Sequence, residues 1–197
     1  MVRFLDNMWL DANLVACYTC LSDVGSNSPQ EREVDMSGNI ITALRQNHAL
    51  EHATIAFLIK KLGVNIRMIG FTTHDGFYIY GDAPTEAVRD AATEGLEHLQ
   101  KGERELAVSP FCGTNLVVAG IMAGIASLIV MGSKDRRKRL FPVILATTWA
   151  IVAARPVGRA VQKYVTTSSN LTGVSIKRIT RRGVGTRMLH KIETTRE

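Results

Sequence analysis

Five consecutive residues, His48-Ala49-Leu50-Glu51-His52, are the strongest candidates for chemistry in this chain. Histidines four positions apart share one face of an α-helix, so both imidazoles can reach a single metal ion. Glu51 follows His48 by three positions and lies close to the same face. A carboxylate there could deprotonate a metal-bound water, or hold an imidazole by a hydrogen bond. The spacing predicts that His48 and His52 can grip one metal ion, with either role open to Glu51. The plainer alternative is a histidine pair with an acidic neighbour on a solvated helix face.

Two histidines need a third ligand, and the sequence offers Glu105, Cys112 and Glu94. A thiolate at Cys112 suits zinc, although a small buried residue at a helix start is also ordinary. Glu94 and His98 are four apart on a second helix and fit a solvated face as well. Cys17-Tyr-Thr-Cys20 has neither a second cysteine pair nor a thioredoxin-like context, so it is weak as a zinc or redox motif. His74 and His190 read as turn and strand-surface residues.

The elements that must hold these groups can be read from the same chain. A helix over 40–62 carries the His-Glu-His motif. Val64 to Thr72 is β-branched and apolar and predicts a strand. His74-Asp75-Gly76 is a turn signal, with a second strand at Phe77–Tyr80. Val88, Ala91, Ala92, Leu96 and Leu99 form a helical stripe in a helix from Thr85 to about Lys101. Glu105–Ser109 reads as a short strand or the first turn of the next helix. Partial alternation over 173–180 and 186–193 predicts a β-hairpin with one basic face. The fold expected is α+β, a small antiparallel sheet with two helices, interrupted by an apolar hairpin.

That hairpin begins in a stretch of 27 residues without formal charge, Ala107 to Ser133. About 20 apolar residues span a bilayer as a helix. Gly120-Ile-Met-Ala-Gly124 is a G-x-x-x-G pattern that suits close packing with a partner helix or a second copy. The charged loop Lys134–Arg139 precedes a second apolar run, Leu140 to Ala154. Snorkelling by Arg155, Arg159 and Lys163 would extend that run to about Val165. The expectation is a transmembrane hairpin; a single span followed by an interfacial helix is the alternative. The domains expected are an N-terminal arm (1–37), an α+β domain (38–109), the hairpin (110–165) and a basic tail (166–197).

Charge is divided along the chain. Residues 1–105 carry 9 Lys and Arg against 15 Asp and Glu, whereas residues 155–197 carry 10 against 2. With no nucleic-acid motif beside it, the basic tail is expected to dock on the acidic front half or lie near lipid, not bind nucleic acid. Residues 23–37 read as a polar linker, and the N-terminus lacks the apolar run of a signal peptide. Positive-inside reasoning on loop 134–139 conflicts with a front domain that has no export signal. The expected placement is an integral membrane protein of the inner or plasma membrane, with its soluble parts cytoplasmic.

With helix, strands and second helix in place, residues 40–106 resemble one lobe of the inverzincin peptidases, the pitrilysin and insulin-degrading group. That resemblance implies His48 and His52 as zinc ligands, Glu51 as base and a glutamate third ligand, for which Glu105 fits best. Glu105 lies nearer the motif than the family's spacing, and the paired second lobe is absent. The whole chain is similar to uncharacterised bacterial membrane proteins that pair a HALEHAT-type motif, here His48–Thr54, with Cys112-Gly-Thr-Asn115. Two functions are therefore expected as alternatives. One is a membrane-anchored zinc hydrolase or peptidase, and the other is a non-catalytic membrane subunit or assembly factor.

Overall fold

The computed structural model describes residues 36–132, 140–183 and 188–196, with side chains from residue 40. Residues 1–35 of the N-terminal arm, with the Cys17–Cys20 motif, and loop 134–139 lie outside the described residues. Helix α1 spans Met36–Leu62, strand β1 Met68–Thr73, strand β2 Gly76–Gly81 and helix α2 Thr85–Gln100. Helices α3 (Gly113–Met131) and α4 (Leu140–Val161) follow, then strands β3 (Val174–Arg182) and β4 (Met188–Arg196). The architecture is α+β with a four-stranded antiparallel sheet in the order β1-β2-β4-β3.

The last strand lies inside the sheet. β4 pairs with β2 from Gly76↔Glu193 to Gly81↔Met188 and with β3 on its other side. The two apolar helices are thus an insertion into one domain. If both cross a membrane, residues 36–107 and 174–196 lie on the same side of it. α1 and α2 pack together over the sheet, where Leu50, Leu58, Phe77, Ile79, Val88, Leu99 and Ile192 form the core. Hydrogen bonding and core packing, more than charge, dock the tail on the front half. Among the described residues one ion pair joins them, Lys191 to Asp75 at 2.7 Å.

Several boundaries differ from expectation. α1 starts at Met36, inside the segment read as linker. β1 starts at Met68, because Gly63, at φ 90°, ends α1 and the next residues form a loop that leaves Val64 exposed. Residues 104–107 form a 3₁₀ turn instead of a strand. His190, read as a surface residue, is fully buried. It sits opposite Ile79, a core residue, and cross-strand partners share a face of the sheet.

α3 has 19 residues and α4, with the π turn that continues it through Thr166, has 27. Both are long and apolar enough to cross a membrane. Neither is a buried core helix, since Leu116, Ile121, Leu128, Phe141, Ile144 and Trp149 are all exposed. They pack on each other, and Pro156 lies within α4 without ending it. A Cβ at Gly158 would come within 3.3 Å of the Asn115 Cα, so glycine there permits the close crossing. Gln162, fully buried, donates to Asn115 Oδ1 (2.7 Å) and accepts from the Ser109 N–H (2.8 Å). Gln162 thus ties the end of α4 to the start of α3.

Candidate metal centre

The buried face of α1 carries His48 and His52 toward the start of the apolar hairpin. His52 Nδ1 lies 2.8 Å from the Ala107 carbonyl and His48 Nδ1 3.0 Å from the Thr166 carbonyl. A carbonyl oxygen only accepts, so each Nδ1 carries the ring proton and each Nε2 presents its lone pair. Each carbonyl is supplied by a departure from α-helical geometry. Ala107 ends the 3₁₀ turn and Thr166 ends the π turn.

The third group is Cys112, the N-cap of α3. Its sulfur lies 3.3 Å from His48 Nε2 and 3.3 Å from Thr114 Oγ1, and it accepts from the Thr114 N–H at 3.4 Å. One ligand atom each from His48, His52 and Cys112 lie within 4.8 Å of one another. His52 Nε2 is buried and has no hydrogen-bond partner. Burial opposes ionisation of the thiol, but the His52 ring, whenever it is charged, and the Thr114 hydrogen bonds outweigh burial. They hold Cys112 below the ordinary thiol range.

The donor set fits zinc chemically. Tetrahedral zinc takes neutral imidazole nitrogen and thiolate sulfur at about 2.0 and 2.3 Å, which puts the ligand atoms roughly 3.3–3.7 Å apart. The Cys112–His48 separation lies in that range, and all three ligand atoms lie within 4.8 Å of one another. Hydrogen bonds from the remote ring nitrogens to carbonyls are how proteins fix metal-binding imidazoles.

Glu51 occupies a different place. Its carboxyl is buried, accepts a hydrogen bond from the Thr72 hydroxyl, and lies against β1 at Gly70, where a Cβ would run into it. Burial pushes its pKa up; the Thr72 hydrogen bond and the nearby His48 partly offset this. Glu105 is exposed on the 3₁₀ turn and lines a cleft with Arg104, Arg159 and Lys163. It is not part of the His48–His52–Cys112 group. Glu94 pairs with Lys61 at 2.8 Å, and His98 with Glu103 at 2.7 Å. Sequence reasoning missed the two carbonyls that aim the imidazoles, because any residue type can supply a carbonyl. It also missed Gln162, whose only signal is an uncharged polar residue beside the cations that end α4.

Fold and cluster together define a small α+β domain interrupted by an apolar helical pair, with a histidine-cysteine group at the junction. Residues 43–179 match a domain family of unknown function, DUF6391, and the chain belongs to that family. It is also similar to an uncharacterised protein of Picosynechococcus sp. (strain ATCC 27264 / PCC 7002 / PR-6), with 34% identity over 142 residues. That match covers 64% of this chain and 66% of the relative, so the chain spans just under two thirds of the relative's length. No solved structure matches the chain.

Proposed function

We propose that this chain is an integral membrane metalloprotein that holds zinc through His48, His52 and Cys112 where the helical hairpin meets the α+β domain. The observation that carries this reading is the aim of the imidazoles. Both Nδ1 atoms are engaged by carbonyls, and the remaining lone pairs converge with a thiol. Catalytic zinc sites have three protein ligands and an open position. Three grouped ligands therefore support metal-bound water and hydrolytic chemistry, the reaction class of the inverzincins that residues 40–106 resemble. In that chemistry Glu51 would leave Thr72 and turn toward the bound water as general base. Glu51→Gln would then abolish turnover of a peptide substrate while keeping the metal.

Elemental mass spectrometry of detergent-purified protein tests the metal reading. The expected result is close to one zinc per chain, lost in His48→Ala/His52→Ala and in Cys112→Ala. A wild type that stays metal-free after zinc is offered back overturns it. On this reading the α+β domain faces the cytoplasm, where a free thiol stays reduced; the cations after α4 favour that side under the positive-inside rule as much as loop 134–139 opposes it. Labelling of an introduced surface cysteine from one side of the membrane tests the placement.

A second reading concerns partners. A Cβ at Gly120 or Gly124 would meet nothing within 4 Å, so this small-residue face of α3 is not used by α4. It is available to a partner helix or a second copy, through which the protein would act as a subunit or assembly factor. Gly120→Leu/Gly124→Leu should then dissociate complexes in mild detergent, and unchanged complexes would reject the reading.

A further inference from the structure

We infer that a cleft beside the metal centre binds the headgroup of an anionic phospholipid. Its volume is about 680 Å³, and it lies between the 3₁₀ turn, the segment that leads from it toward α3, and the end of α4 with its π turn. Arg104, Arg159 and Lys163 line it against one acid, Glu105, with Pro110 and Tyr164 beside them. None of these three cations has an ion-pair partner among the described residues, and the contact found for Lys163 is the ring of Tyr164, 5.4 Å away.

Position supplies the rest. The apolar part of α4 ends at Ala154, and Arg155, Arg159 and Lys163 follow on its next turns. The cleft therefore lies at headgroup depth if the hairpin crosses the bilayer. Tyr164, 68% exposed, suits that layer, where amphipathic rings collect. Basic pockets between membrane helices hold lipid phosphates in this way. A phosphodiester would accept from the guanidinium of Arg159 or Arg104 and the ammonium of Lys163, and its acyl chains would lie along the exposed apolar face of α4.

The inference rests on the membrane part of the reading above and not on the metal. Resistance of the full chain to alkaline carbonate extraction therefore reports separately on whether the hairpin is embedded. The test is native mass spectrometry of the full chain released from nanodiscs of phosphatidylglycerol or phosphatidylcholine. Wild type should retain phosphatidylglycerol and not phosphatidylcholine. Arg159→Gln/Lys163→Gln should weaken retention about thirtyfold, at roughly fivefold per cation removed. Arg104→Gln alone, on an exposed turn, should weaken it about fivefold and covers the case in which the double variant does not fold. Arg178→Gln/Arg182→Gln, outside the cleft, should retain the lipid like wild type. Equal retention by wild type and Arg104→Gln, or of both lipids, overturns the inference. So does displacement of phosphatidylglycerol by millimolar inorganic phosphate, which would mark the cleft as a site for free phosphate.

Discussion

His48 Nδ1 lies 3.0 Å from the carbonyl oxygen of Thr166, so a helix of the α+β domain sets its imidazole on the last residue of the π turn that ends α4. Arg45, one helical turn earlier, reaches the same segment and donates to the Tyr164 and Thr167 carbonyls, both at 3.1 Å. α1 is therefore registered on the hairpin by contacts to backbone. Side-chain changes within 164–167 should perturb the cluster less than changes in the path of α4.

The Asn115–Gln162 contact should be such a path-setting feature. Asn115→Ala would leave the buried Gln162 amide without its acceptor, at a cost of about 1–3 kcal/mol. Gly158→Val should be worse, because it drives a side chain into Asn115. Thermal unfolding in detergent, followed by circular dichroism, should show a lower midpoint for both, with Gly158→Val the lower.

Gly70 and Glu51 compete for one volume. Gly70→Ala would displace the Glu51 carboxyl from β1 and should destabilise the fold by about 1–3 kcal/mol. In the Glu51→Ala background the same substitution should cost far less. A double-mutant cycle measured by denaturant unfolding checks this, and additive costs would show that the two positions are independent.

Glu51 should also set a pH dependence. Burial raises its pKa in the folded chain, so the folded state holds the proton more tightly than the unfolded state. Its contribution is then full below the ordinary carboxylate value and lost as pH rises through the folded value. Glu51→Gln keeps an acceptor for Thr72 without the charge. In EDTA-treated protein it should raise the melting midpoint at pH 8 and flatten the pH profile above about pH 4.5.

His190 should act in the opposite sense. Burial lowers its pKa, the polar backbone of Ile79 nearby partly opposes this, and the charge of Arg181 lowers it further. Arg181 is its cross-strand neighbour on β3, and the Thr85 hydroxyl lies 3.1 Å from Nε2. The unfolded chain gains a proton near the ordinary value of about 6.5, and the folded chain only at lower pH. Stability from this residue is therefore full above about pH 6.5 and lost as pH falls from there through the folded value. His190→Gln should make the melting midpoint less sensitive to pH between about 5 and 7.

Much of the fold was legible because its signals are local. Helical spacing placed the His-Glu-His motif on α1, β-branched runs located the strands, and a long uncharged stretch located the hairpin. The turn at His74-Asp75 was legible too, fixed by Thr73 Oγ1 donating to Asp75 Oδ1 at 2.7 Å. The assembly of the site was harder to read, because it depends on backbone. Glu105 matched the expected pattern better than Cys112. Yet the 3₁₀ turn leaves Glu105 exposed, whereas the N-cap geometry of α3 turns the Cys112 sulfur toward His48. Burial of His190 was equally hidden, since it follows from the register of β4 against β2. Strand register is a long-range property that alternation within one strand does not reveal.

The position of β4 imposes an order on synthesis. β2 is complete at Gly81, but the strand that covers its second edge begins at Met188, after both apolar helices. Until then the nascent β1–β2 pair exposes a row of unsatisfied backbone groups, the kind of edge that seeks another chain. The sheet can close only on a chain whose two apolar helices have already been made. A chain cut short within that interval keeps the second edge of β2 open, whereas the finished chain pairs it with β4.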